Sequence, residues 1–458
     1  MAESSLSLLT AIDALFESKR YPALRDILIK LNAVDVAALL NEVSDKALPF
    51  LFRLLPKELA AETFVEMDSD AQELLIRSFS DSELKDVVDE LYVDDAVDLI
   101  EEMPANVVRR ILRQAEPETR KVINELLKYP EDSAGSIMTT EFVTLRPDMA
   151  VEDAIKRIRR TGVDKETVNT CYITDEKRHL IGAISLRGLI LADEDAIVSD
   201  LMEDNVISVN TLEDQETVAH QLAKYGFTAL PVTDAENRLV GIVTVDDAMD
   251  VLEEEVTEDI SKMAAVTPSD KPYLKTGVFE IWKNRIPWLL LLMVSATFTG
   301  MIITKFENAL AAQAALTAFI PMLMDTGGNS GSQASVTVIR AISLGEADFR
   351  ELPRVIWKEC RVALMCGLSL AIVGFLKLIL IDRLLLSNPE ITIAICLVVC
   401  ATLAVTVVVA KLVGCSLPIL AKKIGFDPAV MASPFITTIV DALALLIYFR
   451  FAALLFKG

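Results

Sequence analysis

Eight carboxylates crowd into residues 246–259, DDAMDVLEEEVTED, and no Lys or Arg stands anywhere between Leu239 and Ser261. Wound as a helix, this run puts Asp247, Asp250, Glu254 and Glu258 on one face and Met249, Leu252, Val256, Ile260 and Met263 on the other. Like charges at i,i+4 repel. Such a stripe calls for a positive counterpart, and carboxylate oxygens suit a hard divalent cation. A solvated acidic face is the plain alternative. The run stands shortly before the first membrane-length apolar segment, which favours the cation.

A second carboxylate stands alone. Asp441 lies near the middle of SPFITTIVDALALLIY (433–448), with no Lys or Arg before Arg450. At bilayer depth a charge costs about 2.5–3.5 kcal/mol on insertion scales, so function is its default reading and a protonated structural Asp the other. Ser433, Thr437 and Asp441 fall at i, i+4 and i+8, a polar stripe suited to a water-filled path. In PMLMDTGGNSGSQ (321–333), three glycines and six polar side chains interrupt an apolar stretch. Those groups must face protein or water. Both a helix-packing seam and a pore-lining segment fit that composition.

These residues need two unlike frameworks to hold them. Residues 1–270 carry 56 acids against 27 bases, whereas 271–458 carry 11 against 17. The first part is long enough for two or three compact domains. Its acidity argues against nucleic acid as a partner and for cations. Residues 1–130 read as short amphipathic helices, with breaks at Leu55-Pro56, Ser80-Asp81, Met103-Pro104 and Glu116-Pro117. A weak repeat follows. Met138 matches Met202, YITD (172–175) matches PVTD (231–234), and LIGAIS (180–185) matches LVGIVT (239–244). Each copy predicts a strand, a turn, a glycine-bearing strand and a helix.

Five apolar blocks fill the remainder, at roughly 286–305, 314–340, 358–383, 391–420 and 429–455. Arg340, Arg350, Arg354, Lys358, Arg361, Lys422 and Lys423 gather in the loops on one side, and Lys305, Arg383 and Lys457 lie on the other. The positive-inside rule then places the N-terminus inside and, after five spans, the C-terminus outside. The N-terminus has no basic leader followed by an apolar core, so no cleaved signal is expected. The cysteines lack zinc-ligand spacing and read as packing residues. With two histidines, and no nucleophile elbow, phosphate loop or dinucleotide fingerprint, an enzyme is not expected.

The repeat resembles a tandem CBS pair, a fold that often holds adenosine nucleotides. In that family an Asp on the helix after the second strand holds ribose hydroxyls. Asp247 matches it in the second copy, and Gly188 stands there in the first. The resemblance implies a possible ATP contact through Arg187 and Phe227. More specific are MDTGGNSGSQ (324–333), GFDPA (425–429), SPFITTIVDAL (433–443) and AMDVLEEEVTEDI (248–260), which closely resemble the MgtE family of magnesium channels.

That resemblance covers nearly the whole chain. It implies a multi-domain membrane protein: an all-α N-terminal Mg²⁺-sensing domain (1–130), an α/β tandem CBS pair (131–199 and 200–252), a connecting plug helix (253–284) and a five-helix α transmembrane pore domain (285–458). By resemblance the chain is a homodimer in a cell membrane with one pore on its two-fold axis. Asp441 then binds hydrated Mg²⁺, Asp427 marks the cytosolic mouth, and Gly327, Gly328, Asn329, Ser433 and Thr437 line the path. Cytosolic Mg²⁺ closes the pore through Glu62, Asp94, Asp98, Glu216, Asp247, Asp250, Glu255, Glu258 and Asp259. Gly226 departs from the family, standing where an acid can contribute a regulatory ligand.

The residue types agree with that implication. Mg²⁺ prefers oxygen ligands and keeps several waters, and the absence of membrane histidines and clustered thiolates argues against Zn²⁺ or Cu⁺. A membrane-anchored CBS sensor of metal or nucleotide, without transport, is the competing reading; the intramembrane Asp and the glycine-rich run count against it.

Overall fold

A computed structural model describes residues 2–163, 165–269, 273–306, 314–431 and 433–455, and they divide into two compact units, Met1–Leu252 and Glu253–Gly458.

The first unit opens with short helices running from Ala2–Glu17 to Pro117–Leu126. Their starts fall where the sequence breaks. Pro56 precedes Lys57–Val65, Pro104 precedes Ala105–Gln114, and Pro117 is itself the first residue of its helix. Proline suits these places because it sets a helical φ and has no N–H to leave unpaired. At Ser80 a full capping box forms: the Glu83 amide donates to the Ser80 hydroxyl (3.3 Å), and the Ser80 amide donates to the Glu83 carboxylate (2.7 Å). Arg53 donates to the same carboxylate at 2.6 Å, and that bond first, with the Ser80 amide second, holds Glu83 down at about 2.

The apolar faces of these helices meet around Leu24, Leu51, Phe64, Leu75 and Leu84. The same core continues into the second CBS-like copy through Leu222, Leu230, Val243 and Val251. The first copy keeps a separate core, with Val151, Cys171, Ile173 and Leu189.

Both copies build the same three-stranded sheet. Thr144–Leu145 runs parallel to Thr170–Thr174, which pairs antiparallel with Leu180–Ser185; Val209–Asn210, Ala229–Thr233 and Leu239–Thr244 repeat the pattern. Each antiparallel pair shifts register at the same place, between Ile173 and Thr174 and between Val232 and Thr233.

The copies interlock by exchange. Thr139 and Ile242 donate their amides to each other's carbonyls at 2.9 Å, and Ala183 and Glu203 do the same at 3.1 and 2.9 Å. Met138 therefore packs on Gly241 of the other copy, and Met202 on Gly182. A Cβ on Gly241 would stand 2.5 Å from the Met138 sulfur and 2.9 Å from the Thr139 oxygen. Gly241→Ala is accordingly expected to cost about 1–3 kcal/mol. Adding Met138→Ala should recover part of it, because the thioether is the nearer obstacle. Thermal melts of the single and double variants test this, and additive losses would exclude the contact.

The acidic stretch forms one helix, Val245–Met263. The expected connecting helix at 253–284 differs from this arrangement. The helix starts earlier because its heptad-like pattern already begins at Val245. It ends at Met263 because Ala265 takes a left-handed φ of 54°, and Val278 already opens the next helix.

In the second unit, Val278–Lys305, Ile320–Ser343, Leu352–Lys377, Ile393–Lys423 and Ser433–Leu455 are the long helices. Among the described residues, four stretches are long and apolar enough to cross a membrane: Val278–Lys305, Phe349–Leu385, Ile393–Lys423 and Ala429–Leu455. Ile320–Ser343, the second of the five expected spans, is long enough at 24 residues, but the polar residues of 325–333 lower its apolar character.

Its glycines explain how that helix packs. A Cβ at Gly327 would meet Thr406 at 2.8 Å and Val440 at 3.0 Å, and one at Gly328 would meet Thr437 at 2.9 Å. Gly331 and Gly414 bring the backbones of their two helices together, leaving no room for a Cβ at Gly414 beside the Gly331 carbonyl. Small residues permit this close approach.

Candidate metal centre

Carboxylates converge in the first unit from four separate segments. Helix Val93–Glu102 supplies Asp94, Asp95 and Asp98, and the start of the acidic helix supplies Asp246, Asp247 and Asp250. Glu141 and Glu166 come from loops of the first CBS-like copy, which the Glu166 amide ties together by donating to the Glu141 carbonyl (3.0 Å). One oxygen from each of Asp94, Glu141 and Glu166 lies within 4.8 Å of the others. Asp94 is only 6 % exposed, and its Oδ1 has no hydrogen-bond partner among the described residues.

This crowding disfavours ionisation. Burial, then repulsion from Asp247, pushes Asp95 up to about 7 and Glu166 up to about 8. The same two causes raise Asp94 well above its ordinary range and carry Asp98, which keeps more solvent contact, to about 7. Asp247 is itself raised by burial, against a hydroxyl bond donated by Thr244 (2.5 Å). Negative groups held this close form a cradle for positive charge.

Three of the sequence-expected ligands, Asp94, Asp98 and Asp247, meet in that cradle. Asp250 lies beside it, near enough to Glu66 to raise the latter after burial has done so. Glu62 is exposed on Lys57–Val65, and Glu216 sits 3.5 Å from the ring of His220.

The remaining expected acids belong to the second unit. Lys262 donates to both Glu258 and Asp427, each at 2.6 Å. Burial pulls its ammonium down, and those two bonds outweigh it and hold the pKa up. Asp427 also accepts from the Ala429 amide at 2.7 Å, and the Ser343 hydroxyl donates to Asp259 at 3.3 Å. Glu255 is half-buried on the same helix.

Among the membrane-length helices, Asp441 sits on Ser433–Leu455 with a buried Oδ1 that has no hydrogen-bond partner among the described residues. Asp325 on the glycine-rich helix is close enough to interact with it electrostatically. The Asn329 amide donates to Asp325 (3.1 Å). Thr437, one turn before Asp441, packs its methyl side against Gly328. Gly327 and Gly328 are buried in this seam, whereas Asn329 is exposed. The side chain of Ser433 lies outside the described residues.

An open cleft of about 600 Å³ in the first CBS-like copy is lined by Asn169, Ser185, Leu186, Arg187, Ile190 and Leu191. Phe227 is not on its walls and instead stacks on Tyr225 with centroids 5.5 Å apart, so the two residues expected at a nucleotide are not brought together in this cleft. The Ser185 hydroxyl accepts from the Gly188 amide (3.1 Å), capping the helix there.

A helical acidic domain, an interlocked repeat pair and long apolar helices, one holding a carboxylate whose buried Oδ1 has no hydrogen-bond partner among the described residues, fit the class of membrane cation transporters. Residues 320–451 match the MgtE family profile, described as a divalent cation transporter, residues 31–132 match the MgtE intracellular N domain, and 134–195 and 198–254 match CBS domains. The magnesium transporter MgtE of Thermus thermophilus is 38% identical over 95% of this chain and 96% of its own length. The magnesium transporter MgtE of Bacillus subtilis is 32% identical over 93% of each. A crystal structure of the cytosolic domain of the Mg²⁺ channel MgtE in complex with ATP shares 37% identity and a TM-score of 0.51, covering 53% of this chain and 99% of that one. The soluble part of a magnesium transporter shares 32% identity and a TM-score of 0.51 over 56% and 99%. The chain belongs to the MgtE family of divalent cation transporters.

Sequence reasoning did not single out Asp95, Glu141, Glu166, Lys262 or Asp325 as site residues. Asp325 alone carried a local signal, as the one charge inside the polar interruption.

Proposed function

We propose that this chain is a Mg²⁺-selective channel or transporter that mediates Mg²⁺ uptake and is shut by Mg²⁺ on the cytosolic side. The carrying observation is the carboxylate of Asp441 within a membrane-length helix, its Oδ1 buried and without a hydrogen-bond partner among the described residues. A buried charge is costly unless something offsets it, and a hydrated divalent ion does so without a tight cage. A second copy across a two-fold axis would double that carboxylate, which favours a homodimer with one shared path. The path would run past Asp441, Thr437, Ser433 and Asn329 beside the Gly327–Gly328 seam, with Asp427 at its cytosolic mouth.

Closure would use the acids of both units. Mg²⁺ bound by Asp94, Asp98, Asp247 and Asp250, with Glu62 and Glu216 at the margin, and by Glu255, Glu258 and Asp259 along the acidic helix, would favour the shut form. Tighter binding to that form is what a ligand-biased two-state equilibrium requires. The bases clustered in the loops 340–361 and 421–428 support a cytoplasmic N-terminal domain and CBS pair, and five spans would then leave the C-terminus outside. The ATP complex of the relative supports an adenine nucleotide at the CBS pair, with Arg187 on the wall of the first copy's cleft and Gly188 supplying no carboxylate for the ribose.

Purified full-length chain in proteoliposomes should pass Mg²⁺ and not chloride, with the flux falling when Mg²⁺ is raised on the side of the soluble unit. A vesicle population that binds Mg²⁺ yet passes none would point instead to the membrane-anchored sensor.

A further inference from the structure

We propose that the helix Leu352–Lys377 carries a binding site for an anionic phospholipid, the headgroup held by Arg354, Lys358 and Arg361 and the acyl chains laid along the same helix face. The site stands apart from the ion path and from the regulatory acids.

This helix belongs to the membrane-length stretch Phe349–Leu385. At about 100° per residue, Arg354, Trp357, Lys358 and Arg361 share one of its faces with Met365, Leu368, Ile372 and Leu376. Every one of them is exposed. The other side packs inward. Ala363 is fully buried, and a Cβ on Gly367 would stand 2.9 Å from the Ala404 oxygen of Ile393–Lys423. Glu359, the one acid within the helix, is half-buried on the side away from the bases.

The basic end has no counter-charge from the protein. The side chains of Arg354 and Lys358 have no hydrogen-bond or ion-pair partner among the described residues. Arg361 lies over the Trp357 ring, 5.7 Å from its centroid. Lys423, at the end of the next long helix, sits 3.4 Å from the centroid of Phe349 and adds charge at the same end. Bases three and four residues apart on a helix repel one another, and a phosphate between them relieves that repulsion through charge-assisted hydrogen bonds.

The dimensions fit a lipid. Arg354 to Arg361 covers ~10 Å along the axis, and Met365 to Leu376 ~17 Å. A headgroup layer is roughly 5–8 Å deep and half of the hydrocarbon core ~15 Å, and long basic side chains reach outward to the headgroups. Trp357 stands where the two zones meet, the place that tryptophan favours. A merely solvated basic face would not continue into an exposed apolar stripe of leaflet length. Bases clustered at the end of a lipid-facing helix recognise phosphate-bearing headgroups.

The test titrates detergent-solubilised full-length chain with dioctanoyl phosphatidylglycerol, dioctanoyl phosphatidylcholine and inorganic phosphate, and counts bound species by native mass spectrometry. Phosphatidylglycerol should bind at least about tenfold more tightly than phosphatidylcholine, and inorganic phosphate should not displace it. At roughly fivefold per base, Arg354→Gln with Arg361→Gln should weaken phosphatidylglycerol about 25-fold. Lys358→Gln, which alters one exposed side chain, should weaken it about fivefold and decides the matter if the double variant does not fold. Arg159→Gln with Arg160→Gln, an equal change of charge on an exposed face of the first CBS-like copy, should leave it unchanged. Equal affinity for the two lipids, displacement by inorganic phosphate, or an equal loss in the Arg159 and Arg160 control overturns the site. A dimer mass lost in the Arg354 and Arg361 variant without any lipid dependence would give this face to a second copy and overturn it too.

Discussion

Asp441→Asn is expected to reduce Mg²⁺ uptake to less than a tenth of the wild-type rate. The substitution keeps shape, removes the charge and exchanges one acceptor oxygen for an N–H donor. Two carboxylates ~8 Å apart across a dimer axis would repel by ~2 kcal/mol at an effective dielectric of ~20, and an ion of charge two between them converts that repulsion to attraction. Losing even part of that interaction exceeds the 1.4 kcal/mol that corresponds to tenfold. Stability should move the other way. Neutralising a carboxylate whose buried Oδ1 has no hydrogen-bond partner among the described residues should leave the melting temperature equal or higher, as at sites where a local rule is broken for function. Asp441→Glu, which keeps the charge on a longer arm, should retain partial flux. Radiometric or dye-based uptake in vesicles measures all three, and wild-type flux in the Asn variant would remove Asp441 from the path.

Where periodicity and packing act within one segment, the sequence is a faithful guide. The breaks at Pro56, Ser80, Pro104 and Pro117 are helix starts because capping and proline chemistry are local. The repeat was legible through Met138, Gly182, Met202 and Gly241, but its meaning was not. Those residues correspond because each methionine fills the gap over the other copy's glycine, a contact between partners about a hundred residues apart for Met138 and Gly241. Glu141 and Glu166 were invisible for the same reason: nothing near either residue signals that Asp94 will be folded against them. Lys262 hid in plain view at the end of an acid-rich run, since its double ion pair depends on Asp427 arriving from far along the chain. The glycine-rich run left two readings open, seam or pore. Gly327 and Gly328 serve the seam, while Asn329 and Asp325 keep polar groups on the uncovered face.

In EDTA the acid cradle should make the protein more stable near pH 6 than near pH 8. Asp95 and Glu166 stand at about 7 and about 8 in the fold, first through burial and then through Asp247, against ordinary values of 3.8 and 4.5. Folded values above unfolded ones mean that the native state holds more protons in between. The stabilisation is complete below about pH 4 and is lost as the pH climbs through 7 and 8. A displacement of this size is worth at most ~4–5 kcal/mol per group. Since these carboxyls repel one another and remain partly hydrated, about 2–3 kcal/mol for the set is the expected net. That corresponds to a melting temperature roughly 5–10 °C higher at pH 6 than at pH 8 for a unit of this size. Millimolar Mg²⁺ should narrow the gap by raising stability most at pH 8, because the ion binds the ionised cradle and competes with protons for it. Asp95→Asn with Glu166→Gln should flatten the EDTA profile. Detergent-solubilised full-length chain followed by circular dichroism gives each number. A gap that ignores Mg²⁺, or stability that rises with pH in EDTA, would show that these carboxylates are neither crowded nor cation-seeking in the folded protein.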